Sequence, residues 1–140
     1  MRTWKKIMAA ILVILVTGAA YGWYLYNKKP ADTRQQAAAA QTEATALVKS
    51  FQQNESMANK QYTDKLIIVS GKVSGRNIDN DGHATVFLET GDPLAAITCS
   101  FYNEEVKTVK NLPVGSAVRI KGICTGMLTD VILNKCSLVK

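Results

Sequence analysis

An uncharged apolar run over residues 7–26 limits what the first part of this 140-residue chain can form. Basic residues bracket the run: Arg2, Lys5 and Lys6 before it, and Lys28 and Lys29 after it. Twenty helical residues span about 30 Å, which is the thickness of the hydrocarbon core of a bilayer. The run therefore predicts one membrane-spanning helix whose partner is the lipid bilayer.

The basic residues around this helix predict its orientation. They are slightly more numerous before the run than after it, so the N-terminus should stay in the cytoplasm. The rest of the chain would then be exported to the periplasmic or extracytoplasmic side of the cytoplasmic (inner) membrane, with a single-pass topology.

A cleaved signal peptide is the alternative interpretation, because the small residues Gly18, Ala19 and Ala20 follow a basic start and an apolar stretch. Apolar and aromatic residues continue past that point, which favours an uncleaved anchor. No cysteine lies near the segment, which excludes a bacterial lipoprotein anchor. Gly18 and Gly22 form a Gly-x-x-x-Gly pattern that could support a homodimer, although so short a pattern is common in apolar helices without that role.

The positive charge of the chain is concentrated at this anchor. The formal net charge is +6, but residues 1–29 hold five of the 17 Lys and Arg and no Asp or Glu. Residues 31–140 carry 12 basic and 11 acidic side chains and are nearly neutral. Because Lys and Arg supply most of the non-specific affinity for nucleic acids, the composition gives little support for such a ligand.

Residues 30–42 form a polar, alanine-rich linker, and residues 43–140 form the predicted soluble domain. Alanine has the highest helix propensity, so the linker could continue as a semi-rigid helical spacer. An amphipathic helix follows, since apolar residues recur at spacings of three and four. Its apolar stripe consists of Ala44, Leu47, Val48, Phe51, Ala58 and Tyr62.

An alternating pattern replaces the helical one after Asp64 and predicts five strands. They cover residues 65–76, 84–89, 95–102, 116–125 and 129–139. Asp81-Gly82 and Gly91-Asp92-Pro93 mark two of the turns, and residues 103–113 form a longer connection with room for one helical turn.

The long first strand carries Gly71 in its middle, where a glycine permits the bulge that lets one strand serve both halves of a small barrel. This is the design of the OB fold. The predicted fold class is all-β with N-terminal helices: a five-stranded OB-fold barrel preceded by an amphipathic helix and a transmembrane helix.

Short segments spread over residues 43–140 resemble the bacterial family of OB-fold domains called tRNA-anticodon-binding-like. They are Phe51-Gln52-Gln53-Asn54-Glu55, Val69-Ser70-Gly71-Lys72-Val73, Ile97-Thr98-Cys99-Ser100-Phe101, Lys121-Gly122-Ile123-Cys124-Thr125-Gly126, and Asp130-Val131 with Cys136. The resemblance implies the fold and an exported or membrane-attached setting. It supplies no ligand-contacting residues, and fold alone does not determine function.

The face that OB folds use for ligands lies across the second and third strands of the barrel. Strand alternation places two aromatic and four basic side chains on or near that face, and these are the candidate ligand-binding residues: Lys72, Arg76, Phe87, Tyr102, Arg119 and Lys121. Aromatic rings there could stack nucleic-acid bases. The favoured alternative is that Phe87 and Tyr102 pack beneath the amphipathic helix.

The segment Asn77-Ile78-Asp79-Asn80-Asp81-Gly82 resembles the start of a calcium-binding EF-hand loop. The twelfth position is Leu88 instead of the required Glu, so a polar hairpin turn is favoured and no metal site is predicted. His83 is the single histidine, which excludes a multi-histidine metal centre and a histidine-based catalytic triad. We expect no cofactor.

Three cysteines, Cys99, Cys124 and Cys136, are expected to be small buried residues. Export would expose them to an oxidising compartment. A Cys99–Cys136 disulfide would be easier to form than Cys124–Cys136, because the third and fifth strands of an OB barrel are neighbours. The sequence has no Cys-x-x-Cys spacing, so the cysteines give no indication of a zinc site or of redox chemistry.

These patterns support three hypotheses. The first is a membrane-anchored, exported OB-fold binding module without catalytic activity, whose partner at the OB face is undefined by the sequence. The second is binding of single-stranded nucleic acid, an oligonucleotide ligand that the near-neutral charge does not favour. The third is a structural component of a membrane assembly.

Overall fold

The computed structural model describes residues 1–28 and 32–140, and the chain divides into two units, Met1–Ala31 and Asp32–Lys140. The first unit is helix α1 (Arg2–Asn27), whose most apolar window has a mean hydropathy of 1.9. That helix is long and apolar enough to cross a bilayer, a property that signal sequences share. The expected boundary between anchor and linker, at residues 29 and 30, lies outside the described residues.

The second unit is a closed barrel with one additional strand. Its strands are β1 (Ala40–Glu43), β2 (Leu66–Ile78), β3 (Ala84–Leu88), β4 (Ile97–Phe101), β5 (Ala117–Met127) and β6 (Val131–Leu138). The sheet order is β1-β2-β3-β4-β6-β5, and β2 also pairs with β5, which closes the barrel. Strands β2 to β6 confirm the five predicted strands and the OB fold.

Strand β2 serves both halves of the barrel. Residues 66–72 pair with β5, and residues 73–78 pair with β3. The expected bulge lies between Val73 and Gly75, a few residues beyond Gly71. Gly71 has a different role: a Cβ there would lie 2.9 Å from the Cβ of Ala44, so the missing side chain lets the helix that begins at Ala44, before β2 in the chain, approach the strand.

Residues 32–43 do not form the expected helical spacer. A 3₁₀ turn at Thr33–Gln35 lies against β5 and β6, and β1 then pairs in parallel with residues 67–70 of β2. The intrinsic preference of the alanines for helix is outweighed here by backbone pairing and by contacts with the barrel. The segment Asp32–Gln36, which we call the strap, belongs to the barrel unit.

The predicted amphipathic helix is divided into α2 (Ala44–Gln53) and α3 (Glu55–Tyr62). The chain turns at Asn54, whose side-chain oxygen accepts a hydrogen bond of 3.1 Å from the backbone N–H of Met57 and caps α3. Helix α2 packs mainly on α3, β1 and β2. It therefore has a docking surface of its own and does not depend on Phe87 or Tyr102.

One core fills the barrel and the contact with α2 and α3. Leu47 of α2 and Ile67, Val69, Ile97 and Leu133 of the strands have no exposed surface. The connection between β4 and β5 holds a 3₁₀ turn (Asn103–Glu105) and α4 (Val106–Lys110), which confirms the predicted helical turn. Val109 of α4 is fully buried and joins the core.

Candidate functional site

A groove of about 1190 Å³ lies on the outer side of the barrel, where the middle of β2 pairs with the start of β5. Its other walls are formed by the start of α2, by the connection that contains α4, and by the last residues of the chain. Sites for small molecules are typically about 300–1,000 Å³. This groove is therefore large enough for a ligand longer than a small metabolite.

Two of the predicted candidate residues, Lys72 and Arg119, meet in this groove. The register pairs Ser70 with Arg119 and Lys72 with Ala117. Because side chains alternate along a strand, Lys72 and Arg119 project from the same outer face of the barrel. Both are exposed.

Neither cation is neutralised by a close carboxylate. Within residues 1–28 and 32–140, the contacts between oppositely chargeable groups are Arg34–Asp32 and His83–Asp79. Lys72 and Arg119 therefore remain available to acidic groups of a ligand.

Carboxylates line other parts of the same groove. Glu43 ends β1 beside Ser70, Glu89 follows β3, and Glu105 precedes α4, while Lys140 adds a third cation. These residues are not among the candidates predicted from the sequence, because they come from separate segments and no local pattern connects them. The three basic and three acidic side chains suit a ligand that carries both signs of charge.

The predicted candidate Tyr102 lies away from the groove and holds the strap. Its hydroxyl is 3.1 Å from Thr33 Oγ1 and accepts a hydrogen bond of 3.3 Å from the Thr33 backbone N–H. The Arg34 guanidinium lies over the ring, 5.0 Å from its centroid. Thr33 itself is 3% exposed and donates a hydrogen bond of 2.9 Å to the carbonyl of Lys135.

Arg34 is held in place by Asp32. The guanidinium forms a bidentate contact with the carboxylate, and its shortest distance is 2.6 Å from Nη2 to Oδ2. The hydrogen bond from the Arg34 side chain lowers the pKa of Asp32, and the same bond raises the pKa of Arg34. The strap therefore keeps its ion pair at neutral pH.

The candidate Lys121 is also occupied by the strap. Its ammonium group donates hydrogen bonds to the carbonyls of Arg34, at 2.8 Å, and Gln36, at 2.9 Å. Tyr102 and Lys121 thus contact the segment that leads to α1. The structure does not bring them together with Lys72 and Arg119.

Phe87 and Arg76 lie on opposite faces of the sheet. Phe87 pairs with Gly75, whereas Arg76 pairs with the fully buried Val86. Directly opposed residues share a face, so the bulge before Gly75 moves Arg76 to the face of Val86. Arg76 therefore lies on a different face from the one expected, and the six candidates are distributed over separate surfaces.

The turn between β2 and β3 brings Asp79, Asp81 and His83 together, with one ligating atom of each within 4.8 Å of the others. All three are exposed. Asp79 Oδ1 accepts hydrogen bonds from the backbone N–H groups of His83, at 2.8 Å, and Asp81, at 3.0 Å. The His83 backbone bond is the main cause of the lowered pKa of Asp79. These hydrogen bonds stabilise the hairpin turn, and they explain why the three side chains lie close together.

Asp130, in the turn between β5 and β6, connects that turn to β4. Its carboxylate accepts hydrogen bonds from the Ala96 N–H, at 3.0 Å, and from the Thr98 hydroxyl, at 3.2 Å. The Thr98 hydroxyl is therefore engaged by a group of the protein itself, although Thr98 lies on a strand that OB folds present to ligands.

The three cysteines are buried inside the barrel, as predicted from the sequence, and all three are free thiols. Burial raises the pKa of Cys124 and that of Cys136, which also contacts Cys99. A raised pKa keeps a thiol protonated and makes it a poor nucleophile.

Comparisons with known proteins agree with this architecture. The family described as tRNA_anti-like matches residues 1–138. A comparison with curated proteins gives no significant match.

Among solved structures, a lipoprotein from Klebsiella pneumoniae subsp. pneumoniae, for which nucleic-acid binding has been suggested, superposes with a TM-score of 0.58. The lipoprotein is 21% identical to this chain, and the aligned region covers 72% of this chain and 92% of the lipoprotein. A replication factor A related protein from Methanobacterium thermoautotrophicum has a TM-score of 0.41 at 16% identity, covering 59% of this chain and 87% of its own. An aspartyl-tRNA synthetase from Entamoeba histolytica has a TM-score of 0.43 at 14% identity, covering 56% of this chain and 19% of its own. At 21% identity, the similarity to the Klebsiella lipoprotein is a similarity of fold.

Proposed function

Because the chain belongs to the tRNA_anti-like family of OB-fold domains, we propose that it is a non-catalytic binding module whose ligand is a protein segment held in the groove of Lys72 and Arg119. One observation carries this proposal. Two unpaired cations project from adjacent strands into a groove that also contains three carboxylates. A peptide with acidic and basic side chains matches that arrangement, whereas a polyanion would meet the carboxylates of Glu43, Glu89 and Glu105.

The absence of catalysis is part of the proposal. Burial raises the pKa values of the Cys124 and Cys136 thiols, and the single histidine lies in an exposed hairpin turn bonded to Asp79. This chemistry supports binding better than turnover.

We further propose that α1 anchors the module in the cytoplasmic membrane, with the N-terminus inside and the barrel on the extracytoplasmic side. The apolar run and the basic residues before it support this topology. The Klebsiella relative is a lipoprotein, whereas the first cysteine of this chain is Cys99, so the helix itself is the proposed attachment. Gly18 and Gly22 leave open space on α1 where a second copy of the helix could pack.

Binding of single-stranded nucleic acid is the second candidate, favoured by the half-buried Phe87 on the strands that OB folds use and by the binding suggested for the Klebsiella relative. Three observations weigh against it. Tyr102 and Lys121 are occupied by the strap, Arg76 lies on the face opposite Phe87, and the barrel unit is almost neutral.

Photo-crosslinking from the groove tests the proposal. The full chain in native membranes receives p-benzoylphenylalanine at Ala117, an exposed position of the groove, or at the exposed Lys60 of α3 as a control. We expect a protease-sensitive, nuclease-resistant adduct from position 117 and none from position 60. A nuclease-sensitive adduct, together with binding of labelled dT20 that Phe87→Ala weakens, would establish the second candidate instead.

A further inference from the structure

The outward-facing side chains of the groove lie in two rows across the sheet. In the first row, Glu43 of β1 pairs with Ser70 of β2, and Ser70 pairs with Arg119 of β5. Residues paired across neighbouring strands share a face, so Glu43 and Arg119 flank Ser70 on the outside of the barrel. Two strand spacings, about 9.6 Å, separate the backbone positions of this carboxylate and this cation.

The second row lies two residues further along β2. Lys72 pairs with Ala117 of β5, and its carbonyl accepts a hydrogen bond of 2.9 Å from the N–H of Glu89 on the other edge. Because Val73 pairs with Leu88, Glu89 is the residue opposite Lys72. In both rows the carboxylate therefore lies on the side of β1 and β3, and the cation lies closer to β5.

The charged groups within these rows do not neutralise one another. In the described part of the chain, the ion pairs are those of Arg34 and His83, so the Lys72 ammonium and the Glu89 carboxylate stay apart. Both are exposed, and the small side chain of Ala117 leaves space beside Lys72. Each row thus offers one free carboxylate and one free cation to a ligand.

The spacing of the rows matches an extended peptide. Two residues of β2 cover about 6.8 Å, and an extended ligand repeats each side of its backbone at the same interval. In a segment that runs along β2, acidic side chains at positions i and i+2 reach Arg119 and Lys72. Basic side chains at the intervening positions then reach Glu43 and Glu89. A helix does not alternate in this way, because its neighbouring side chains are three and four positions apart.

The remaining charges of the groove leave this pattern in place. Glu105 is half-buried, and after Asp32 the negative charges of Glu104 and Glu105 also raise the pKa of Arg34 in the strap. The charge of Glu105 therefore acts on the strap as well as on the groove. Lys140 is exposed and adds to the positive side of the groove.

We propose that the ligand of the groove is an extended peptide segment in which acidic and basic side chains alternate, the acidic ones facing Arg119 and Lys72. This inference rests on the proposed function, in which the groove holds a protein segment. It defines that segment as one such as Glu-Lys-Glu-Lys in β conformation. A run of one charge would leave one side of the groove unmatched.

Two peptides of identical composition test the inference. In one, Glu and Lys alternate over eight positions; in its isomer, four Glu precede four Lys. Both are acetylated, amidated and labelled with fluorescein, and their binding to the full chain in detergent micelles is measured by anisotropy at low ionic strength. Because their net charges are equal, we expect the arrangement alone to give the alternating peptide at least a tenfold lower Kd. Equal Kd values, or no binding of either peptide, would overturn the inference.

Variants of the groove locate the binding. Glu43→Gln/Glu89→Gln removes the carboxylate of each row, and the Glu43 side chain makes no capping hydrogen bond to α2 that this change would break. We expect at least a tenfold higher Kd for the alternating peptide. Glu55→Gln/Asp81→Asn removes two exposed carboxylates outside the groove and should leave the Kd unchanged. An unchanged Kd in the groove variant would also overturn the inference.

Competition in native membranes separates this inference from the proposed function. With p-benzoylphenylalanine at Ala117, excess alternating peptide should abolish the protein adduct, whereas the isomer should not. A protein adduct that persists in excess alternating peptide would overturn the inference and leave the proposed function standing. Absence of any protein adduct would instead contradict the proposed function, on which the inference rests.

Discussion

The guanidinium carbon of Arg34 lies 5.0 Å from the centre of the Tyr102 ring, while Asp32 holds the same guanidinium from the side. This contact fastens the segment that follows α1 to the end of β4. A ring that could have stacked on a ligand is instead part of the attachment of the strap.

Replacing Tyr102 with Phe should destabilise the barrel by about 0.5–1.5 kcal/mol, because the hydroxyl that contacts Thr33 is lost while the ring under Arg34 remains. Tyr102→Ala should cost more, since it also removes the ring. Urea unfolding of the full chain in micelles measures both. The matched control is Tyr26→Phe, at a residue that is 88% exposed, where we expect no change.

Replacing Lys121 with Met should loosen the strap, because the carbonyls of Arg34 and Gln36 lose their ammonium donor. Hydrogen exchange of the amides at residues 33–36 should become faster. Lys110→Met changes an exposed lysine of α4 and should leave these amides unchanged. Equal exchange in the two variants would show that Lys121 does not hold the strap.

Gly122→Ala should destabilise the barrel by about 1–3 kcal/mol, since the added Cβ would lie 2.5 Å from Cys136 Sγ. The double variant Gly122→Ala/Cys136→Ala removes the sulfur and should recover part of the loss. Gly75→Ala is the control, because its Cβ would meet Phe87 at an ordinary 3.7 Å. Denaturant unfolding midpoints, measured with a reducing agent present, decide the comparison, and a double variant weaker than Gly122→Ala would refute this origin of the effect.

Stability should decrease in acid because Asp32, Asp79 and Asp92 have pKa values below the ordinary 3.8 in the folded chain. The main causes are the side-chain bond from Arg34 for Asp32 and the backbone N–H groups of His83 and Leu94 for the other two. As the pH falls, the unfolded chain binds protons first. The stabilisation is therefore complete above the ordinary pKa and is lost as the pH falls through the lower folded values.

Unfolding midpoints measured from pH 5 down to about pH 2.5 test this expectation, because the window spans the ordinary carboxyl pKa. Asp32→Asn should show a smaller decrease than the wild-type chain. The control Asp81→Asn changes an exposed aspartate of the hairpin turn, and an identical decrease in both variants would contradict the assignment to Asp32.

The sequence predicted the five barrel strands because alternation is a local signal that survives folding. Strand β1 was not predictable, since its partner in β2 is distant along the chain and its alanines favour helix. The bulge at Val73–Gly75 moved Arg76 to the other face, and the one at Lys135 turned Cys136 inward. A single extra residue in a strand moves the side chains that follow it to the opposite face, and the sequence does not show where such residues occur.

The groove was only partly visible in the sequence. Lys72 and Arg119 were identified by alternation on their own strands, but their pairing across β2 and β5 depends on the closure of the barrel. The carboxylates of Glu43, Glu89 and Glu105 come from three further segments. Long-range topology brings these charges together.

The yield of the photo-adduct from position 117 after charge reversal shows whether the groove of Lys72 and Arg119 holds a protein ligand. Arg119→Glu places a carboxylate in the groove, whereas Arg76→Glu makes the same change on another surface. We expect at least a tenfold loss of the protein adduct for Arg119→Glu, equivalent to about 1.4 kcal/mol of binding free energy, and an unchanged yield for Arg76→Glu. Equal yields from the wild-type chain and Arg119→Glu would contradict this expectation.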